Sequence, residues 1–233
     1  MTGYYASERR DLLALVPRGV KRVLDVGCGE GNTGRALKAE RSGIVVEGIE
    51  KEERVARIAA AHLDEVQCID LDADTFTFAE PFDCIICGDV IEHLKDPDAV
   101  LRQLHGALSV GGVLLWSVPN VRHYTIIAGL LLGEWEYQDS GILDRTHLRF
   151  FTLKSARALL ARTGFAIVTI ERRFGDVGNN APARFATWRE LGVNDRLRAA
   201  AQGLLPEAQL PDTLDMNLDD LLTLQYVFVA RKA

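Results

Sequence analysis

Val23-Leu24-Asp25-Val26-Gly27-Cys28-Gly29-Glu30-Gly31-Asn32-Thr33-Gly34 is the stretch whose reading decides the fold. A short apolar strand, interrupted by one acid, runs into glycines at 27, 29, 31 and 34, and a helix-like run follows at once. Glycine lacks a Cβ, so the chain can turn tightly there and let a ligand lie against the backbone. The helix that begins in the turn directs its free N–H groups and the positive end of its dipole at whatever occupies it. A glycine-rich strand–helix turn without a ligand is the plain alternative. It is disfavoured because four glycines weaken a turn with nothing gained.

Two ligand classes use such a loop. Gly29-x-Gly31-x-x-Gly34 matches the dinucleotide fingerprint as a string. Its register is late, because the strand ends at Val26 and the tight turn begins at Gly27. Counted from the strand end, the pattern is Asp25-x-Gly27-x-Gly29-x-Gly31. That pattern resembles the first motif of the class I S-adenosylmethionine (SAM) methyltransferases. The resemblance implies a cofactor with an amino acid, a sulfonium and an adenosine, and Asp25 suits its ammonium. Gly27, Cys28, Gly29 and Gly31 then form the cofactor loop.

Downstream motifs extend the resemblance. Ile44 to Ile49 reads as a second buried strand, rich in β-branched residues and ending in Glu50-Lys51. Glu50, 19 residues beyond Gly31, is placed to accept hydrogen bonds from two ribose hydroxyls. Dehydrogenases use the same device, so this supports adenosine without choosing a family. Glu52 to Leu63 reads as a helix and Val66 to Asp70 as a third strand. In the methyltransferase family the acid here binds the adenine amino group and the next backbone N–H a ring nitrogen. The resemblance gives these roles to Asp70 and Leu71, against a solvated loop acid or helix cap.

Phe82-Asp83-Cys84-Ile85-Ile86-Cys87-Gly88-Asp89-Val90-Ile91-Glu92-His93-Leu94 is a buried strand running into a polar loop. It resembles the small-molecule branch of the family, which includes the ubiquinone-pathway O-methyltransferases. Asp89 joins the cofactor residues by that resemblance. The Asn/Asp-Pro-Pro-aromatic signature of amino-group methylators is absent from this strand tip. Asp98 to Leu108 reads as an amphipathic helix, and Val113 to Val118 as a fifth strand after a Gly111-Gly112 turn.

Strand and helix alternate throughout. The expected fold is α/β and Rossmann-like: seven strands, mostly parallel, helices on both faces, the last strand antiparallel, and ligands at the carboxyl ends of the strands. Phe165 to Phe174 and Leu221 to Arg231 are the expected last two strands. Residues 4 to 16 read as a helix ended by Pro17 and Gly19. Residues 1–233 are read as one domain with insertions at about 121–152 and 175–220.

The first insertion is dense in His, acids, Arg and aromatics, which reads as a substrate site or lid. His123, Tyr124, Trp135, Asp144 and Arg149 are its candidate substrate residues. The string Gly141 to Thr152 resembles one found in methyltransferases linked to bacterial surface sugars and in quinone-type enzymes. An internal salt-bridge network among Asp144, Arg145, His147 and Arg149 is the structural alternative. The second insertion carries Phe185, Trp188, Leu191 and Leu197 at helical spacing. It is expected to cover the substrate mouth or to make a homodimer contact.

Composition bounds the rest. The 233 residues carry a formal net charge of −6, which gives no long-range pull on nucleic acid or anionic lipid. No apolar run approaches the ~20 residues needed to span a bilayer, and the N-terminus lacks the layout of a signal peptide. Four cysteines read as reduced and buried in a cytoplasmic protein. Cys84-x-x-Cys87 is rejected as half a metal site, because residues three apart on a strand face opposite sides. No metal is required.

The expected activity is SAM-dependent methylation of an oxygen on a small molecule, with S-adenosylhomocysteine as product. A sugar or envelope-glycan precursor is the first acceptor class and a quinone or phenol the second. An NAD-dependent oxidoreductase and a catalytically silent SAM-binding scaffold are the alternatives. A hydroxyl acceptor needs a proton acceptor, and histidine is suited to that. His93, beyond the fourth strand, ranks first, then His147, then His123. A capping or packing role is the alternative for His93. His62 and His105 are set aside as surface residues.

Overall fold

Alternate residues of the central strands are buried on opposite sides, and this builds two cores. In the computed structural model, which describes Tyr5 and residues 7–174 and 218–232, Val23, Cys84, Ile86 and Leu115 face one core. Leu24, Ile85, Cys87, Leu114 and Trp116 face the other. Fully burying each such aliphatic side chain contributes roughly 1.5–3 kcal/mol. The two cysteines of Cys84-x-x-Cys87 therefore point to opposite faces of the sheet, as the pleat requires.

The strands are β1 (Arg22–Val26), β2 (Val45–Glu50), β3 (Glu65–Cys68), β4 (Phe82–Gly88), β5 (Leu108–Pro119), β6 (Phe165–Phe174) and β7 (Thr223–Lys232). They form one sheet in the order β3-β2-β1-β4-β5-β7-β6. The pairs among β1 to β5 are parallel, and β7 lies antiparallel between β5 and β6. This is the fold class expected. Trp116 of β5 stacks on Phe228 of β7, with ring centroids 5.1 Å apart, and meets Phe151 edge-on.

The helices are α1 (Arg10–Leu13), α2 (Asn32–Glu40), α3 (Glu53–Ala59), α4 (Pro97–Ala107), α5 (Tyr124–Leu131), α6 (Leu153–Arg162) and α7 (Leu218–Leu222), with a short 3-10 turn at Ile91–His93. Leu12, Leu37 and Ala59 of α1 to α3 cover one face of the sheet, and Leu101, Leu104, Leu159 and Leu160 of α4 and α6 the other. Asp96 caps α4 through the Ala99 amide, and Thr152 and Ser155 form a capping box on α6.

Several boundaries differ from expectation, among them that Leu221 lies in α7 and β7 starts at Thr223. Residues 4 to 16 supply only the short α1. Their polar backbone is spent elsewhere: the Glu30 amide donates to the Tyr5 carbonyl, and the Arg9 amide to Thr33 Oγ1. The 121–152 insertion contains a helix, α5, that its mixed composition hid. β5 begins at Leu108, ahead of the Gly111-Gly112 turn, with an irregular register against β4. The helical stripe at Phe185 to Leu197 lies outside the described residues.

Candidate active site

Reversal of strand order between β1 and β4 leaves a crevice beyond their carboxyl ends, where α/β sheets hold ligands. A cleft of about 540 Å³ opens there. Asp25, Gly27, Cys28, Gly29, Glu50, Lys51, Asp70, Leu71, Asp89 and His93 all line it. They come from the tips of β1, β2, β3 and β4 or the loops just after them, which is why residues far apart in the chain converge.

The loop after β1 is held by the acid of β2. Glu50 Oε2 accepts the Gly29 amide at 2.9 Å, and Oε1 accepts the Glu52 amide at 3.0 Å. Gly27, Gly29 and Gly31 all have positive φ, which favours glycine. A Cβ on Gly29 would come within 2.6 Å of the Tyr5 carbonyl oxygen, and one on Gly27 within 2.5 Å of Val90 Cγ2. Gly31 does not line the cleft. It precedes α2, and a Cβ there would meet Ala59 at 3.2 Å, so its smallness serves the packing of α2 on α3.

Asp25 sits at an electrostatic cost. It is 5% exposed, and its Oδ2 is buried with no hydrogen-bond partner. Burial pushes its carboxyl up to about 7; the Arg9 charge opposes this and Glu50 adds to it. A carboxylate in that state gains from a cationic ligand group. Asp70 is held below the usual carboxylate range, chiefly by its bond from Lys51, whose Nζ lies 2.9 Å away. Its Oδ1 also accepts the Asp72 amide, so it fixes its own loop.

Asp89 is the only non-glycine with positive φ among the described residues. Its amide donates to Ser117 Oγ, whose hydroxyl donates to Asp89 Oδ1 at 3.0 Å. Arg9 and Gln225 also donate to its carboxylate. Arg9, Tyr5 and Ser7 line the cleft, and none was singled out from the sequence. No motif marks them: they reach the site only because the N-terminal segment crosses the glycine loop.

Of the lid candidates, the structure gives several other work. His123 is 1% exposed, contacts Thr125 Oγ1 at 2.8 Å, and is pushed down to about 4 by burial. Tyr124 packs with Leu221. The Arg149 guanidinium donates to the carbonyls of Lys95 and Leu148, stapling the loop after the 3-10 turn. Asp144 accepts the Thr146 amide and hydroxyl, and these bonds hold it low against the opposing effect of burial. The salt-bridge network that stood as the structural alternative is not there among the described residues: Arg145 pairs with Asp139 instead. Trp135 is partly exposed beside Tyr137 and Phe150. His147 is buried, with its ring edge-on to His93 at a centroid distance of 4.7 Å. His93 is lowered below the usual histidine range by burial and by His147. His105, expected at the surface, is half-buried edge-on against Phe165.

The family model of the methyltransferase domain matches residues 1–170. The chain belongs to the methyltransferase-domain family. The ubiquinone biosynthesis O-methyltransferase of Idiomarina loihiensis is 32% identical over 120 residues, 49% of this chain and 49% of that protein. The chain spans about half the length of the curated relatives it matches first. Solved methyltransferases share the fold. One from Thermotoga maritima, described as a possible histamine N-methyltransferase, has a TM-score of 0.60 at 18% identity, covering 98% of this chain and 89% of its own. The O-methyltransferase of a Brevibacillus brevis polyketide multienzyme, bound to S-adenosylhomocysteine, has a TM-score of 0.60 at 15% identity, covering 96% and 71%.

The family's cofactor, SAM, fits this cleft. The unpartnered Asp25 oxygen suits the ammonium, and Glu50 retains acceptor capacity for ribose hydroxyls. Ile69, Leu71 and Leu94 add apolar side chains to the lining of the cleft. A pyrophosphate fits poorly. It would face Asp25 and Glu50, and the Gly29 amide it would need is taken by Glu50. Among the described residues no helix is long and apolar enough to cross a membrane.

Proposed function

We propose that this methyltransferase-family chain, read as one domain over residues 1–233, transfers the methyl group of SAM to an oxygen of a small molecule. The observation that carries the cofactor half is Asp25: a buried carboxylate with an unpartnered oxygen in an acidic cleft. The acceptor half rests on His93, which lines the same cleft beyond the tip of β4. The sulfonium is a good leaving group, so the chain's tasks are to align donor and acceptor and to remove one proton. His93 donates through Nδ1 to the Thr146 carbonyl, which leaves its Nε2 as an acceptor. Asp25, Glu50, Asp70 and the Leu71 amide hold the cofactor in this reading, and the exposed aromatics Trp135 and Tyr137 receive the acceptor.

Two acceptor classes remain in view. A sugar or glycan precursor suits a polar, aromatic-edged lid. The named ubiquinone relatives support a phenolic hydroxyl about as well. A screen of both classes with isotopically labelled SAM tests the proposal: a labelled ether on either class supports it, and label found only on nitrogen acceptors contradicts it. The net charge of −6 argues against a nucleic-acid acceptor. Thiols without disulfides fit the cytoplasm. A homodimer contact through 175–220 belongs to the same proposal.

A further inference from the structure

The insertion after β5 carries a run of aromatic rings that begins at the cleft and ends in solvent. His147 lies edge-on to His93, which lines the cleft. Phe150 follows, with its ring centroid 6.3 Å from that of His147, and Trp135 comes next at 5.4 Å from Phe150. Tyr137 closes the series, 6.5 Å from Trp135 and at 84° to it. Trp135 is 38% exposed and Tyr137 51%. Rings packed in a core spend their faces on neighbours. These two nearly perpendicular rings instead leave a corner open at the outer end of the series.

The loop that bears the corner is pinned. The Glu134 amide donates to the Gly129 carbonyl at 2.8 Å, the Gln138 amide to the Leu143 carbonyl at 2.8 Å, and the Arg145 amide to the Gln138 carbonyl at 2.9 Å. Its far end is fastened to the loop after β4. Glu92, whose two carboxylate oxygens are buried without a partner, accepts the Leu148 and Arg149 amides on its carbonyl. A platform fixed before binding loses little entropy when a ligand lands on it.

The chemistry of the corner suits a sugar ring. A pyranose presents C–H groups on its faces and hydroxyls around its rim. The C–H face packs on the negative face of an aromatic ring. Exposed Glu134, Glu136 and Gln138 flank Trp135 and Tyr137 in the chain and supply acceptors for rim hydroxyls. An apolar tail would gain nothing from those polar groups and would cost them water.

We propose that the methyl acceptor is a glycan of at least two sugar rings, with the reacting ring at His93 and an outer ring stacked in the corner of Trp135 and Tyr137. The inner half of this proposal rests on the methyl-transfer reading; the outer subsite does not. His93 keeps its role as proton acceptor. The corner selects acceptors by length, holding the outer ring while the inner one reacts.

The test is a calorimetric titration of the S-adenosylhomocysteine-loaded protein with mono-, di- and trisaccharides of the gluco and manno series, and with a prenylated phenol. Affinity is expected to rise by about 10- to 100-fold at the length whose outer ring reaches Trp135, the weight of stacking one ring on an aromatic side chain. Trp135→Ala should remove that rise and Trp135→Phe should keep most of it. S-adenosylhomocysteine affinity in both variants reports folding. With labelled SAM, KM should fall at the same length while kcat holds. No gain with length in the wild type overturns the proposal, and so does a gain that persists in folded Trp135→Ala. A prenylated phenol that is bound and methylated while no saccharide binds overturns the outer subsite and keeps the methyl-transfer reading. Saccharide binding through Trp135 with no methyl transfer to any acceptor keeps the subsite and refutes that reading instead.

Discussion

Glu50 Oε2 accepts the backbone amide of Gly29 at 2.9 Å, so the acid at the tip of β2 holds the glycine loop that follows β1. The residue expected to bind ribose therefore also shapes the loop beside it.

Glu50→Ala should weaken SAM by about 10- to 100-fold, given roughly 1.5–3 kcal/mol for each hydrogen bond to a charged group. Because the Gly29 and Glu52 amides also lose their acceptor, Tm of the cofactor-free protein should fall as well. Glu50→Gln, which keeps one acceptor oxygen, should fall less in both. Calorimetry and thermal melts check this; unaltered SAM affinity in folded Glu50→Ala removes Glu50 from the site.

Gly29 and Gly43 both have positive φ, but only Gly29 is crowded. Gly43→Ala should cost about 1 kcal/mol of stability through backbone strain alone. Gly29→Ala should cost more, because its Cβ meets the Tyr5 carbonyl, and Gly29→Val should abolish SAM binding. Denaturant titrations of the pair give the comparison, and equal losses would mean that the Tyr5 contact carries no weight.

Asp25 ties affinity to pH. Its carboxyl, raised to about 7, must lose its proton to pair with the cofactor's ammonium, which stays charged below about 7.7. SAM affinity should rise roughly tenfold per pH unit up to about 7, and Asp25→Asn should bind weakly with that rise removed. Stability runs the other way. The unfolded chain loses this proton near pH 4, about three units before the folded one, so the group costs cofactor-free stability as pH rises through that window. Asp25→Asn should accordingly raise the cofactor-free Tm at pH 8 and not at pH 4.

His93→Ala should lower turnover by about 10²- to 10⁴-fold while leaving SAM affinity within a few-fold. Single-turnover methyl transfer, once an acceptor is known, measures it. Full turnover in this variant moves the chemistry away from the β4 loop.

The fold was legible because its signals were local: a β-branched run, a glycine turn and an amphipathic helix can each be read within a dozen residues. Asp25, Glu50, Asp70 and Asp89 were legible for the same reason, each sitting at a strand tip. The lid was not. His123 and Arg149 look like ligand groups by type, yet one is buried beside Thr125 and the other spends its guanidinium on carbonyls. Nothing in a sequence shows which polar side chains the backbone will consume. Arg9 and the unpartnered Glu92 were hidden by the converse, since their surroundings come from segments far along the chain.

The most direct test of the central claim is a calorimetric titration of the purified chain with SAM near pH 7.5, followed by competition with NAD. One equivalent of SAM is expected to bind in the micromolar range, S-adenosylhomocysteine to displace it, and NAD to have no effect. Absence of saturable SAM binding, or displacement of SAM by NAD, would contradict the account.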